Sequence, residues 1–398
     1  MKLEDGNVIV LSDTKKSTEP PQGDLASHWC RVVRRRSFLQ GLGVAGAAAL
    51  PSGALIAESN KKLSKGDAAI LKFLAAAELI EKDLWQQYNE LGGSVDANDH
   101  PNAGNAAYVA ALSNLDGDMP QYISDNTDDE VSHAAFINSY LMSKGENPVD
   151  LSGFENLQSS SKATGAQQRG RLTSLQALNV DTSYYFRYRS TQNVDVGATF
   201  PQLINIVNQP AIPLHDNYAS STIQAIANVA AFHFAMIEQG GSSLYPTLAL
   251  QVSSVEVLRI VLSIGGTEID HFGLWHDKLG NAVADPLAPL FDPVTGLTFP
   301  NFNDPGSQHN GNLSAADQAA GSQMFQTNLI LAEPCQFLSS SLPPCSIIRP
   351  TSTMHSGAVA AVKAFTSNNL FMGQPQAFFD TLMELAEAAD AAKRQGEN

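Results

Sequence analysis

The sequence predicts a mainly α-helical fold: a bundle of four long helices, a long crossover insertion between the second and third, and a C-terminal extension. Three observations predict it. Apolar residues recur at helical spacing along four long segments. Gly, Pro, Asn and Ser gather between those segments. An acidic residue sits on the apolar side of each segment, singly in the first and third and as Glu-x-x-His in the second and fourth.

The first helix spans residues 64–91. Ser64 or Asp67 caps it, Ile70, Leu71, Phe73, Leu74, Ala77, Leu84 and Leu91 mark its apolar side, and Gly92-Gly93 ends it. Glu78 lies in the middle of that side, where a carboxylate is costly unless paired or bound to a cation. Residues 105–143 hold the second helical region, interrupted at Gly117-Asp118-Met119-Pro120 and better formed from about Asp125 to Ser143; it carries Glu130 and His133. The connection over about 144–217 contains a short helical candidate at 166–178 and an aromatic stretch, Tyr184 to Tyr188, that reads as a packed strand or turn. A bundle of up-down-down-up type needs one long crossover at this place, and this one is too long for a crossover alone.

The third helix begins near Ala219 and carries Glu238 on its apolar side; Gly240-Gly241 weakens it and Pro246 bends or ends it. The fourth opens at Ser253-Ser254-Val255-Glu256, a capping-box pattern, and runs to about Leu279 with Glu268 and His271 in its middle. Beyond it, residues 280–353 are rich in Pro, Asn, Gly and Ser with one helix at 314–331, and two more helices are expected at 357–366 and 375–394.

With 398 residues, 43% of them hydrophobic, the chain can bury a sizeable core as one large domain with extensions. A net charge of -16 argues against a nucleic-acid backbone or an anionic membrane as the main partner. Of the 3 Cys, Cys335 and Cys345 stand ten apart in a Pro- and Ser-rich stretch and either form one disulfide or remain free thiols.

Arg34-Arg35-Arg36-Ser37-Phe38-Leu39-Gln40 resembles a twin-arginine export signal, and a mild apolar run follows over residues 41–50. That run is shorter than the roughly 20 residues a membrane span needs, and no other segment reads as apolar enough. The domain reading is therefore a signal segment at 1–57, a four-helix bundle at 58–279 with its insertion, and an extension at 280–398. The resemblance implies the twin-arginine export machinery as a partner and a periplasmic or extracellular location.

One Glu-x-x-His is weak evidence, since 9 His and 40 acidic residues in 398 give about one acid-x-x-His by composition alone. Two of them, alternating with single glutamates, say more. Residues i and i+3 share a helix face, so each motif aims a carboxylate and an imidazole at one point. The set Glu78, Glu130, His133, Glu238, Glu268 and His271 is what a two-metal bundle requires. Four carboxylates balance two divalent cations, and such a donor set suits Fe or Mn better than Zn. The alternative is a bundle whose carboxylates are hydrogen-bonded core residues.

The four segments resemble the ferritin-like superfamily, and within it the desiccation-related group. The resemblance rests on Ala77-Glu78-Leu79-Ile80-Glu81-Lys82-Asp83-Leu84-Trp85, on Glu238-Gln239-Gly240-Gly241-Ser242-Ser243-Leu244-Tyr245, and on Ile264-Gly265-Gly266-Thr267-Glu268-Ile269-Asp270-His271. It covers about residues 64–143 and 219–279. It implies that Glu130 and Glu268 bridge two Fe or Mn ions, that Glu78 and Glu238 are terminal carboxylates, and that His133 and His271 give one nitrogen each. Departures are Ala77, Trp85 and the paired Gly265-Gly266, which loosens the helix that must hold Glu268. Glu81 is either an extra carboxylate behind the ligands or a solvated neighbour. Trp85 and Tyr245 are either redox-active or core packing. His233 is off the face of Glu238 and reads as structural or surface. The function implied is a di-metal oxidoreductase acting on O2 or peroxide under drying or oxidative stress; the alternative is a non-catalytic stress or structural scaffold with structural metal or none.

Overall fold

A computed structural model describes residues 62–96, 100–102, 104–159, 162–184, 202–302, 341 and 353–395. Among the described residues there are eight α-helices: α1 (Lys65–Gly92), α2 (Ala106–Leu115), α3 (Met119–Ser143), α4 (Ser220–Ala249), α5 (Val255–Leu279), α6 (Thr353–Ser356), α7 (Ala358–Ser367) and α8 (Gln376–Asp390). Three small antiparallel ladders lie between them: β1 (Leu157–Gln158) with β2 (Gly170–Arg171), β3 (Leu178–Val180) with β4 (Ile206–Gln209), and β5 (Leu290–Phe291) with β6 (Thr298–Phe299). The bundle is built from two closely packed pairs, α1 with α3 and α4 with α5.

Local chemistry sets the helix ends. Ser64 caps α1, its hydroxyl accepting from the Asp67 amide at 3.0 Å. Asp67 itself reaches across the bundle and accepts from the Ser253 and Ser254 amides, at 2.8 and 3.1 Å, at the start of α5. The expected capping box does not form. Ser254 is the N-cap, accepting from Val257 at 3.4 Å, while Glu256 pairs with Lys144, the C-cap of α3, at 2.8 Å. The second helix starts earlier than expected, at Met119, because Pro120 falls in the first turn, where a missing N–H costs nothing.

Pro246 does not end α4, which continues to Ala249. This helix is long and apolar enough by length and composition to cross a membrane, contrary to the expectation that no such segment exists, and 89% of its apolar window is buried within the bundle.

The connection and the C-terminal segment together wrap α1. Asp83 of α1 accepts from the Leu172 and Thr173 amides at 3.0 and 2.9 Å and from the Thr173 hydroxyl at 2.7 Å. Buried Arg171 pairs with Glu90. The Ser174 amide donates to the Leu370 carbonyl at 2.8 Å. These bonds claim the backbone donors of 172–174, so the helix expected at 166–178 is replaced by β2, an extended strap and the start of β3. Tyr184 is fully buried, edge-on to Phe272; residues 185–188 lie outside the described ones, as do the expected helix at 314–331, Cys335, Cys345 and the export-signal residues. The last two expected helices correspond to α7 and α8, and α8 packs on α1.

Candidate metal centre

Six side chains from four helices converge in the bundle interior. Glu78 comes from α1, Glu130 and His133 from α3, Glu238 from α4, and Glu268 and His271 from α5; their exposures run from 0% to 8%. They form two overlapping groups that can each hold a metal ion: Glu78, Glu130, His133 and Glu268, and Glu130, Glu238, Glu268 and His271. Glu130 stands between the histidines, with Oε2 3.2 Å from His133 Nδ1 and Oε1 3.2 Å from His271 Nδ1. His133 Nδ1 also faces Glu78 Oε2 at 3.3 Å and Glu268 Oε1 at 3.5 Å. His271 Nδ1 faces Glu238 Oε2 at 3.4 Å.

The donor set can be tested against a cation without reference to any relative. A ring nitrogen carries one hydrogen, so His133 Nδ1 satisfies at most one of its three facing oxygens. Glu78 Oε2, Glu238 Oε2 and both oxygens of Glu268 are buried without a hydrogen-bond donor, and His271 Nδ1 is likewise unsatisfied. Buried carboxylate oxygens in that position cost several kcal/mol each, to order of magnitude, unless a positive charge faces them. Two divalent cations, one in each group, would supply that charge, and the residues fit them.

Electrostatics without metal show the same demand. Burial pushes Glu78 up to about 7, against the opposing pull of His133 beside it. Burial and the neighbouring carboxylates raise Glu268 well above the usual range. Burial also acts to raise Glu130, but His133 and His271, each facing one of its oxygens, outweigh it and hold the group at about 2. Burial lowers His133, yet Glu130 and Glu78 override it and carry the ring up to about 10. Without metal, the two imidazoles keep Glu130 ionised while burial pushes Glu78, Glu238 and Glu268 toward protonation, so the centre calls for positive charge.

Several groups behind these six were not legible from spacing. Asn126, one turn before Glu130, donates from Nδ2 to Glu130 Oε1 at 2.8 Å and to Glu238 Oε1 at 3.2 Å, and accepts from Trp275 Nε1 at 2.6 Å. Asp129 Oδ2 lies 3.1 Å from His271 Nε2. A buried amide on the ligand face was the available signal for Asn126; Asp129 had none. Among the three residues expected behind the ligands, Tyr245 is fully buried and its hydroxyl donates to Glu78 Oε1, which goes beyond packing. Glu81 is 5% exposed, so it is not a solvated neighbour, and the charge of Glu78 helps to raise its pKa after burial itself. Trp85 touches no ligand by hydrogen bond. It stacks on Trp275 with centroids 5.3 Å apart, and the second tryptophan is the one linked to the centre. His233 is structural: fully buried, its Nδ1 2.7 Å from the Tyr88 hydroxyl, with burial pulling it down to about 3.

The paired glycines, expected to weaken the site, make room for it. A Cβ on Gly241 would stand 2.5 Å from Glu268 Oε2, and one on Gly265 would stand 2.6 Å from Tyr245 Cβ. Their neighbours Gly240 and Gly266 face nothing within 4 Å. A cavity of about 210 Å³ between α1 and the connection, lined by Lys82, Asp83, Asp150, Glu155 and Arg169 among others, includes none of the six.

Residues 66–281 match the family described as a ferritin-like domain, a span that contains all six residues. No curated protein and no solved structure matches the chain.

Two outcomes follow. Gly241→Ala displaces the Glu268 carboxylate and lowers metal content per folded chain at least several-fold, whereas Gly240→Ala leaves metal content unchanged and stabilises α4 by about 0.5–1 kcal/mol. Equal metal content in both variants, read by elemental analysis and denaturation, contradicts the packing described. The second concerns pH. Glu78 (4.5 to about 7) and His133 (6.5 to about 10) both bind protons more tightly in the folded than in the unfolded chain. Their contribution is therefore present below the unfolded value and lost as pH rises through the folded one. Glu130, held at about 2, acts oppositely and only under acid conditions. The Tm of the metal-free protein accordingly falls by several degrees from pH 5 to pH 9, and metal loading removes the fall. A metal-free Tm that rises over that range contradicts the protonation pattern.

Proposed function

Because the chain belongs to the ferritin-like domain family, we propose that it is a dinuclear Fe or Mn protein that reduces a small oxidant, peroxide or O2, in stress protection outside the cytoplasm. The observation that carries this reading is Glu130 standing between two histidines within a ring of buried, donor-poor carboxylates. When bound, two redox metals supply two one-electron steps at adjacent positions and an open coordination place for an oxygen atom.

The chain's own residues do the rest. Glu130 and Glu268, common to both groups, would be shared by the two ions, and Glu78 and Glu238 would each serve one of them. Asn126 holds the Glu130 and Glu238 carboxylates with one amide, and Tyr245 holds Glu78. The buried Tyr245 hydroxyl donates to Glu78 Oε1 and is placed to give a proton there. The enclosure of all six residues, none above 8% exposed, favours an oxidant of two to four atoms over an organic substrate.

Export is supported by Arg34-Arg35-Arg36-Ser37-Phe38-Leu39-Gln40, and the stress role by the patterns around Glu78, Glu238 and Glu268 that resemble the desiccation-related group. Elemental analysis of protein matured in its cells, with peroxide turnover on the same sample, tests the reading. The expected result is close to two Fe or Mn per chain with turnover, and loss of metal in Glu130→Ala and Glu268→Ala. Metal without turnover favours the scaffold reading; no metal, or full metal in both variants, sinks the assignment.

A further inference from the structure

The two halves of the centre correspond in sequence: Glu78 with Glu238, Glu130 with Glu268, His133 with His271. Their hydrogen-bond partners correspond only in part. Each terminal carboxylate has a donor, Tyr245 for Glu78 and Asn126 for Glu238. The histidines are treated unequally. His271 Nε2 lies 3.1 Å from Asp129 Oδ2, on the residue just before Glu130. The matching place before Glu268 is Thr267, whose hydroxyl turns back to the Ser263 carbonyl at 3.4 Å. Among the described residues, His133 Nε2 meets no hydrogen-bond partner, and 10% of the side chain remains exposed.

A carboxylate that accepts from Nε2–H fixes the tautomer, so that Nδ1 presents a lone pair to the centre. It also fixes the ring's orientation and raises its basicity as a ligand. His271 has all three effects. His133 has none, and in the neutral form that can ligate, its ring proton is free to sit on Nδ1, the atom that must coordinate.

We propose that the two metal positions are unequal and that Asp129 sets the order. The position formed by Glu130, Glu238, Glu268 and His271 fills first and tightly; the one formed by Glu78, Glu130, Glu268 and His133 fills second and exchanges. This rests on the dinuclear reading above. Glu81 is another residue without a match, its counterpart being Gly241, as Ile264 is that of Asn126. It does not decide the order, because its charge interacts with Glu78, Glu130 and Glu238, on both sides of the centre. The consequence is regulatory. A half-filled centre has one redox metal where a two-electron reduction of peroxide needs two, so metal supply to the weaker position sets the active fraction.

Titrating Mn2+ into the metal-free full chain, followed by calorimetry and electron paramagnetic resonance, tests this. Wild type should bind in two steps separated by about 10–100-fold. An isolated Mn2+ signal should dominate at the first equivalent and give way to a spin-coupled one at the second. Asp129→Ala, at a half-exposed side chain, should weaken the tight step about 10–100-fold and merge the two steps. Asp129→Asn, whose amide oxygen still accepts from Nε2–H, should keep most of the separation. Thr267→Asp, placing a carboxylate at the matching position, should tighten the second step. A coupled signal from the first addition, or two steps unmoved by Asp129→Ala, overturns the inference while leaving the dinuclear reading intact. No Mn2+ binding by wild type overturns both.

Discussion

Everything in the bundle answers to one constraint: four carboxylates of the centre are buried in an apolar interior with only two imidazoles to face them. Ionised carboxylates are stable there only if protons or cations neutralise them. Glu130 shows the balance in one residue. Burial alone would raise it, and the two flanking histidines instead hold it at about 2. The other carboxylates, lacking such neighbours on both sides, are pushed the opposite way. A site that keeps its charge only by borrowing protons is a site made for metal.

That demand explains details that otherwise look like faults. Glycine in a helix interior is destabilising, yet Gly241 gives Glu268 its place and Gly265 lets Tyr245 lie close enough to reach Glu78. Two buried tryptophans stacked beside the centre leave one indole N–H, that of Trp85, without a partner, while the other orients Asn126. Outside this core, the wrapping of α1 by the connection and by α8 holds the helix that carries Glu78. Asp67 ties the start of α1 to the start of α5, so the two halves of the bundle share a cap.

The helices and the six central residues were legible because they depend on spacing within one segment. Glu130 and His133, or Glu268 and His271, share a face wherever their helix lies. Asn126, Asp129 and Trp275 were not legible, because their roles depend on the register between α3, α4 and α5. The helix expected at 166–178 failed for a related reason. Its amides at 172–174 bond to Asp83, ninety residues earlier, and to Leu370, far later, and no local pattern records such partners. The capping box at Ser253 lost to Asp67 in the same way. The glycine pairs were misjudged because propensity counts their cost to an isolated helix, whereas packing decides in a buried one.

The central claim is that Glu130 lies between two metal ions. Anomalous diffraction from crystals of the metal-loaded chain, recorded on either side of the Fe or Mn absorption edge, measures this directly. Two peaks flanking the Glu130 carboxylate, one toward His133 and one toward His271, are the predicted result. No peak within the bundle, or a single peak that leaves either histidine unligated at full loading, would contradict it.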